Sequence, residues 1–119
     1  MATYSKTILS ASTDGRGIAV AANSSAGTTI HTGSATATTL VEVCLYSVNS
    51  DTSDIKLTLE WGGAVLADPI EVTITAEAGL TLVAPGLLIK GNGTPLVVRA
   101  FAGTINKIFI HGYVNQITA

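Results

Sequence analysis

Ile55-Lys56-Leu57-Thr58-Leu59-Glu60-Trp61 alternates apolar and polar side chains without a break, and Gly62-Gly63 follows at once. Successive side chains of an extended chain point to opposite faces, so a period of two marks a half-buried strand. The reading places Ile55, Leu57, Leu59 and Trp61 in a core and Lys56, Thr58 and Glu60 toward solvent. The glycine pair then turns the chain.

Working outward, Ile70-Glu71-Val72-Thr73-Ile74-Thr75 repeats the pattern. Leu80-Thr81-Leu82-Val83 follows a turn around Gly79, and Pro85-Gly86 is expected to end it. Residues 96–102 and 107–114 read as the last two strands, joined through Gly103-Thr104. Residues 40–48 are apolar on both faces apart from Glu42 and Ser47, the mark of a central strand covered on both sides. Residues 10–39 are mostly Ala, Ser, Thr and Gly. There Ile18, Val20 and Ile30 return at strand-like spacing, so residues 17–22 and 28–32 are expected to be ordered edge strands rather than linker. No window sustains helical spacing with caps. About eight short strands separated by turn residues predict an all-β, antiparallel β-sandwich, jelly-roll-like, with an immunoglobulin-like sandwich as the rival. No fixed-period repeat suggests a propeller or solenoid.

A chain of 119 residues with a net charge of −2 fits one domain. Residues 1–16 read as an N-terminal arm or first edge segment, and 17–119 as a single sandwich domain. Hydrophobic residues supply 47% and charged residues only 12%, about half the usual charged share. That composition argues against disorder. It leaves a surface of small hydroxyl and apolar groups that desolvate easily, as a permanent assembly component would tolerate. Lys6, Arg16, Lys56, Lys90, Arg99 and Lys107 are scattered singly, which speaks against nucleic acid as a partner. Cys44 is the only cysteine, so no intramolecular disulfide or Cys-rich zinc site is expected. Residues 1–10 lack the apolar run of a signal peptide, and residues 79–89 are too short and too broken to span a bilayer. Synthesis in the cytoplasm and no membrane partner are the expectation.

Catalytic patterns are sparse. His31 and His111 are the only imidazoles. His31, in the Ser/Thr-rich segment, is expected to be exposed, and His111 alternates with Phe109 and Tyr113 on one strand face. Neither sits in a spacing that completes a metal site or a nucleophile–base pair. No Gly-x-Ser-x-Gly elbow is present. Cys44, in the most apolar strand, reads as a small buried hydrophobe. Glu60 and Glu71, on strands expected to be neighbours, could pair as carboxylates in glycoside hydrolysis, but each fits the solvent slot of its own alternation. Gly91-Asn92-Gly93-Thr94 reads as a turn, lacking the Lys-Ser/Thr ending of a phosphate loop. Of Tyr4, Tyr46, Trp61, Phe101, Phe109 and Tyr113, Trp61 is expected in the core. Phe101 and Tyr113 are candidate surface anchors, too few for a sugar platform. No catalytic, cofactor-binding or metal-ligating residue is assigned, and the chain reads as a non-enzyme with no cofactor.

Several phrases resemble small virion structural proteins of tailed bacteriophages, of the capsid decoration (cement) type. They are Ser5-Lys6-Thr7-Ile8-Leu9-Ser10 with Asp14-Gly15-Arg16-Gly17-Ile18, then Gly27-Thr28-Thr29-Ile30-His31-Thr32. Lys56-Leu57-Thr58-Leu59-Glu60-Trp61-Gly62-Gly63 and His111-Gly112-Tyr113-Val114-Asn115 complete the set. The resemblance spans nearly the whole chain and is one of texture, without a diagnostic motif. It implies a jelly-roll-like sandwich on the capsid surface of the virion, self-associated commonly as a homotrimer and docked on the major capsid protein. A tail, fibre or baseplate component and a carbohydrate-binding sandwich module are the alternatives. Residues 2–12 are expected to contact capsid or a neighbouring subunit, and their deletion to leave the fold cooperative.

Overall fold

A computed structural model describes residues 2–63 and 68–118. These residues form strands and no helix: β1 (Thr3–Ile8), β2 (Ile18–Ala19), β3 (Thr28–Thr32), β4 (Thr39–Asn49), β5 (Ile55–Trp61), β6 (Pro69–Ile74), β7 (Thr81–Lys90), β8 (Val97–Ala102) and β9 (Ile108–Thr118). One sheet runs β1-β9-β4-β7, with β2 also on β9; the other runs β3-β8-β5-β6. All pairings are antiparallel.

β1 lies along residues 113–118 of β9 and β2 along 109–110. They are therefore one edge strand, interrupted by an excursion over residues 9–17. Counting that strand once leaves eight, in the orders 1-8-3-6 and 2-7-4-5. This is the two-sheet Greek-key order of a jelly roll. The immunoglobulin-like order is excluded.

The core between the sheets is built from the alternations of the central strands. Val41, Val43 and Leu45 of β4 and Ile108, Ile110 and Val114 of β9 meet Leu57 and Leu59 of β5 and Val98 and Ala100 of β8. Trp61 is half-buried against this cluster, as its parity predicts. Leu9, on the excursion, is buried too, as part of the same core. Ser10 ties the excursion to β3, its N–H donating to His31 Nδ1 at 3.0 Å and its Oγ accepting from Thr32 N–H at 2.7 Å. Deleting residues 2–12 would thus cut into the core, against the expectation of a dispensable arm. Residues 3–8 are the exposed edge strand.

Three further expectations are corrected. β4 is central, but its outer face is covered only in part. On that face Leu40 is exposed, Glu42, Tyr46 and Val48 are half-buried and Cys44 is buried, whereas the inner residues are all buried. β7 does not end at Pro85-Gly86. Val43 pairs with Leu87 and the next residue, Cys44, with Pro85, so Gly86 is the extra residue of a bulge. Proline is tolerated there because β7 is an edge strand. Finally, β9 continues to Thr118, because residues 115–118 pair with β1 on one side and β4 on the other.

Candidate functional site

The outer face of the five-stranded sheet is set by parity. Ile108, Ile110 and Val114 point inward, so Phe109, His111, Tyr113, Asn115 and Ile117 point out. Register then aligns their neighbours in rows across the sheet. One row is Tyr4, Ile117, Leu40 and Lys90; the next is Lys6, Asn115, Glu42 and Leu88; the third is Ile8, Tyr113, Cys44 and Pro85. Beyond them Tyr46 stands between His111 and Leu82, and Val48 beside Phe109. Four of the molecule's six aromatic residues therefore share one face. Much of it is open to solvent, including Tyr4 at 66% exposure, Leu88 at 54% and Tyr113 at 37%.

Polar groups on this face are few and placed in detail. Lys6 Nζ sits 4.7 Å from the Tyr113 ring centroid, a cation–π contact. Asn115 Nδ2 donates to Glu42 Oε1 at 3.5 Å. The neighbouring Cys44 thiol raises the Tyr46 and Tyr113 phenols above their ordinary value of 10.0. Cys44 is nearly buried, as a small hydrophobe should be, although it lies on the outer side of β4.

At the edge of the face lies a cavity of about 380 Å³ lined by Thr13, Arg16, Gly17, Phe109 and His111. A tight turn builds one wall. Arg16 N–H donates to Thr13 O at 3.0 Å, and Asp14 and Gly15 both take positive φ, the geometry of a type I′ turn. Gly17 lies directly against the imidazole; a Cβ there would come within 2.8 Å of His111 Nε2. Arg16 and its turn carried no chemical signal in the sequence, since a single exposed arginine has none until the fold sets it beside Phe109 and His111.

The other singled-out residues lie elsewhere. His31 is not exposed but 8% accessible, its Nδ1 accepting from Ser10 N–H, and burial lowers its pKa below 6.5. Glu60 does occupy the outward slot of β5, yet it is 0% exposed. The loop before β3 folds over it, with Gly27 N–H donating to Oε1 at 2.7 Å and Ser25 Oγ to Oε2 at 2.5 Å. Thr58, expected in solvent, is also buried. Glu71 pairs across β6 and β5 with Lys56 at 2.8 Å, on the surface. Glu60 is thus buried beneath the loop, whereas Glu71 keeps the solvent slot expected of it, paired with a lysine. Phe101 is half-buried on the outer face of the other sheet, beside Thr58. Residues 91–94 form the loop between β7 and β8, with Thr94 N–H donating to Asn92 Oδ1 at 3.3 Å. Among the described residues, no three His, Cys, Asp or Glu side chains are grouped to hold a metal ion. Among the described residues no helix is long and apolar enough to cross a membrane.

Comparison with protein-family models, curated proteins and solved structures finds no match. The fold itself defines the class: a two-sheet jelly-roll sandwich whose exposed aromatic side chains are concentrated on the five-stranded sheet.

Proposed function

We propose that this chain is a non-enzymatic virion structural protein of a tailed bacteriophage, a capsid decoration (cement) protein that binds the major capsid protein lattice as a homo-oligomer. The observation that carries this reading is the uncovered apolar face of the five-stranded sheet. Tyr4, Ile8, Leu40, Leu82, Leu88 and Tyr113 are exposed on it, and apolar side chains gathered on one exposed face mark an interaction site. Tyr4, Tyr46, Phe109 and Tyr113 supply the aromatic side chains enriched in interfaces, and one polar row, Lys6, Asn115 and Glu42, crosses between them. The bare edge of β1 adds main-chain donors and acceptors that a neighbouring strand can pair with. The low charge content and the resemblance of the chain's phrases to phage virion proteins point the same way.

The test uses heads of the phage that encodes the chain, prepared without it. The purified protein should co-sediment with the heads at saturating stoichiometry and raise the temperature at which they release DNA. Heads that neither bind it nor gain heat resistance would exclude the decoration role. Binding confined to tails would move the protein to the tail or baseplate. A carbohydrate-binding module is the second reading, favoured by the gathering of Tyr4, Tyr46, Phe109 and Tyr113 with the Arg16 cavity at their edge. Saturable binding on a glycan array, lost in Phe109→Ala, would replace the structural reading.

A further inference from the structure

We propose that the outer face of the five-stranded sheet is closed by a second copy of this chain, packed face to face across a two-fold axis that runs along β9. This inference rests on the reading of that face as an assembly surface, and it names the occupant.

Charge placement argues for self-pairing. Lys6, Asn115 and Glu42 stand in one row on three successive strands, β1, β9 and β4. A two-fold axis along β9 carries β1 onto the partner's β4. Each Lys6 then faces the partner's Glu42, and each Asn115 faces its own copy. Among the described residues neither Lys6 nor Glu42 has an ion pair within the chain. Packed sheets cross at about 30°, but both residues lie only about 4.8 Å from the axis, so the crossing offsets them by about 2.5 Å. A lysine side chain spans that.

The neighbouring rows agree. The same operation sets Tyr4 against the partner's Leu40, and Ile8 against the partner's Cys44, apolar on apolar. One row further on, the position beside His111 on the β1 side is not a strand but the Arg16 cavity. The residue opposite it is the partner's Tyr46, the β4 register partner of His111. The cavity therefore receives an aromatic side chain, the arrangement that dominates interface energetics. Isologous pairing of this kind is the commonest route to a soluble oligomer.

Size sets the strength. Three strands of up to 11 residues cover about 14 by 36 Å, or about 500 Å² on each copy, taking strand spacing and rise at their usual values. The total of about 1,000 Å² sits at the threshold for a specific interface. The dimer is therefore expected to dissociate in the micromolar range and to weaken with salt.

Sedimentation velocity over a concentration series, from about 1 to 500 μM, tests this on the full chain. The wild type should reach twice the 12.1 kDa chain mass. Lys6→Glu and Glu42→Lys should each raise the dissociation constant by about tenfold or more, because each creates two like-charge contacts. The double reversal should restore it to within about threefold of wild type. Tyr4→Asp, on a fully exposed edge strand and so without risk to folding, should also give a monomer. A monomeric wild type at every concentration, a trimer, or a charge reversal without rescue would each overturn the two-fold pairing. Capsid co-sedimentation is read separately. A monomer that still decorates heads sinks only this inference, and a rescued dimer that binds no heads sinks only the function.

Discussion

Replacing Glu60 by Leu removes a carboxylate wholly shielded from solvent while keeping a side chain of similar size. The carboxylate takes the Gly27 N–H at 2.7 Å and the Ser25 hydroxyl at 2.5 Å, and so pins the loop that precedes β3. After the change Ser25, at the surface, turns to water. Gly27 cannot follow, because it is buried with the Ala100 carbonyl within 2.5 Å of where its Cβ would stand. A hydrogen bond to a charged group contributes about 1.5–3 kcal/mol, and a stranded buried donor costs about 1–3 kcal/mol. Burying leucine in place of a carboxylate returns part of this. The expected net loss for Glu60→Leu is about 2–4 kcal/mol, against a total stability of roughly 5–15 kcal/mol. Glu60→Gln keeps an acceptor for Gly27 and should lose about half as much. Urea unfolding followed by the fluorescence of Trp61, the only tryptophan and the next residue along β5, reads the change as a shift in midpoint at constant slope. A loss below about 0.5 kcal/mol for Glu60→Leu, within the range of an ordinary surface substitution, would refute the idea that the carboxylate holds the loop. So would a Gln variant less stable than the Leu variant.

Gly112 has φ of +152° and its Cβ position lies 2.1 Å from the Cys44 carbonyl, so Gly112→Ala must push β9 off β4 and should cost about 3 kcal/mol or more by thermal unfolding. Gly103→Ala, with open space around it, is the control and should stay within about 0.5 kcal/mol. Ser47 points its hydroxyl into the core without a hydrogen-bond partner among the described residues, so Ser47→Ala should stabilise the fold by about 1 kcal/mol in the same urea assay. Burial lowers the His31 pKa in the folded state, so the unfolded chain binds the extra proton first. That contribution is complete above the unfolded value near 6.5 and is lost as pH falls through the lower folded value, with a slope of at most about 1.4 kcal/mol per pH unit. His31→Asn keeps an acceptor for the Ser10 N–H without a titrating ring, and should flatten the midpoint-versus-pH curve between pH 7 and 5. An equally steep curve in that variant would assign the acid sensitivity to another group.

The alternations of β5 and β6 were legible residue by residue, because a strand's period of two depends only on its own side chains. Strand number and the sandwich class followed from counting such segments, and β3 from a single isoleucine at the right spacing. What the period cannot tell is whether a given face is covered. Glu60 and Thr58 hold the outward slots expected of them, yet Glu60 lies beneath a loop from residues 24–27, a contact across more than thirty positions. The outer face of β4 was read as buried from its apolar side chains; within one chain it is covered only in part, with Leu40 exposed and Cys44 buried. Lateral strand order is likewise long-range, since β9 pairs at once with β1, β2 and β4. Only that order brings Tyr4, Tyr46, Phe109 and Tyr113 from three strands onto one face and sets Lys6 and Glu42 in one row. The sequence by itself determined which side chains share a side of each strand. Tertiary structure decided which sides lie together and which face solvent, because pairing and coverage are properties of distant segments meeting.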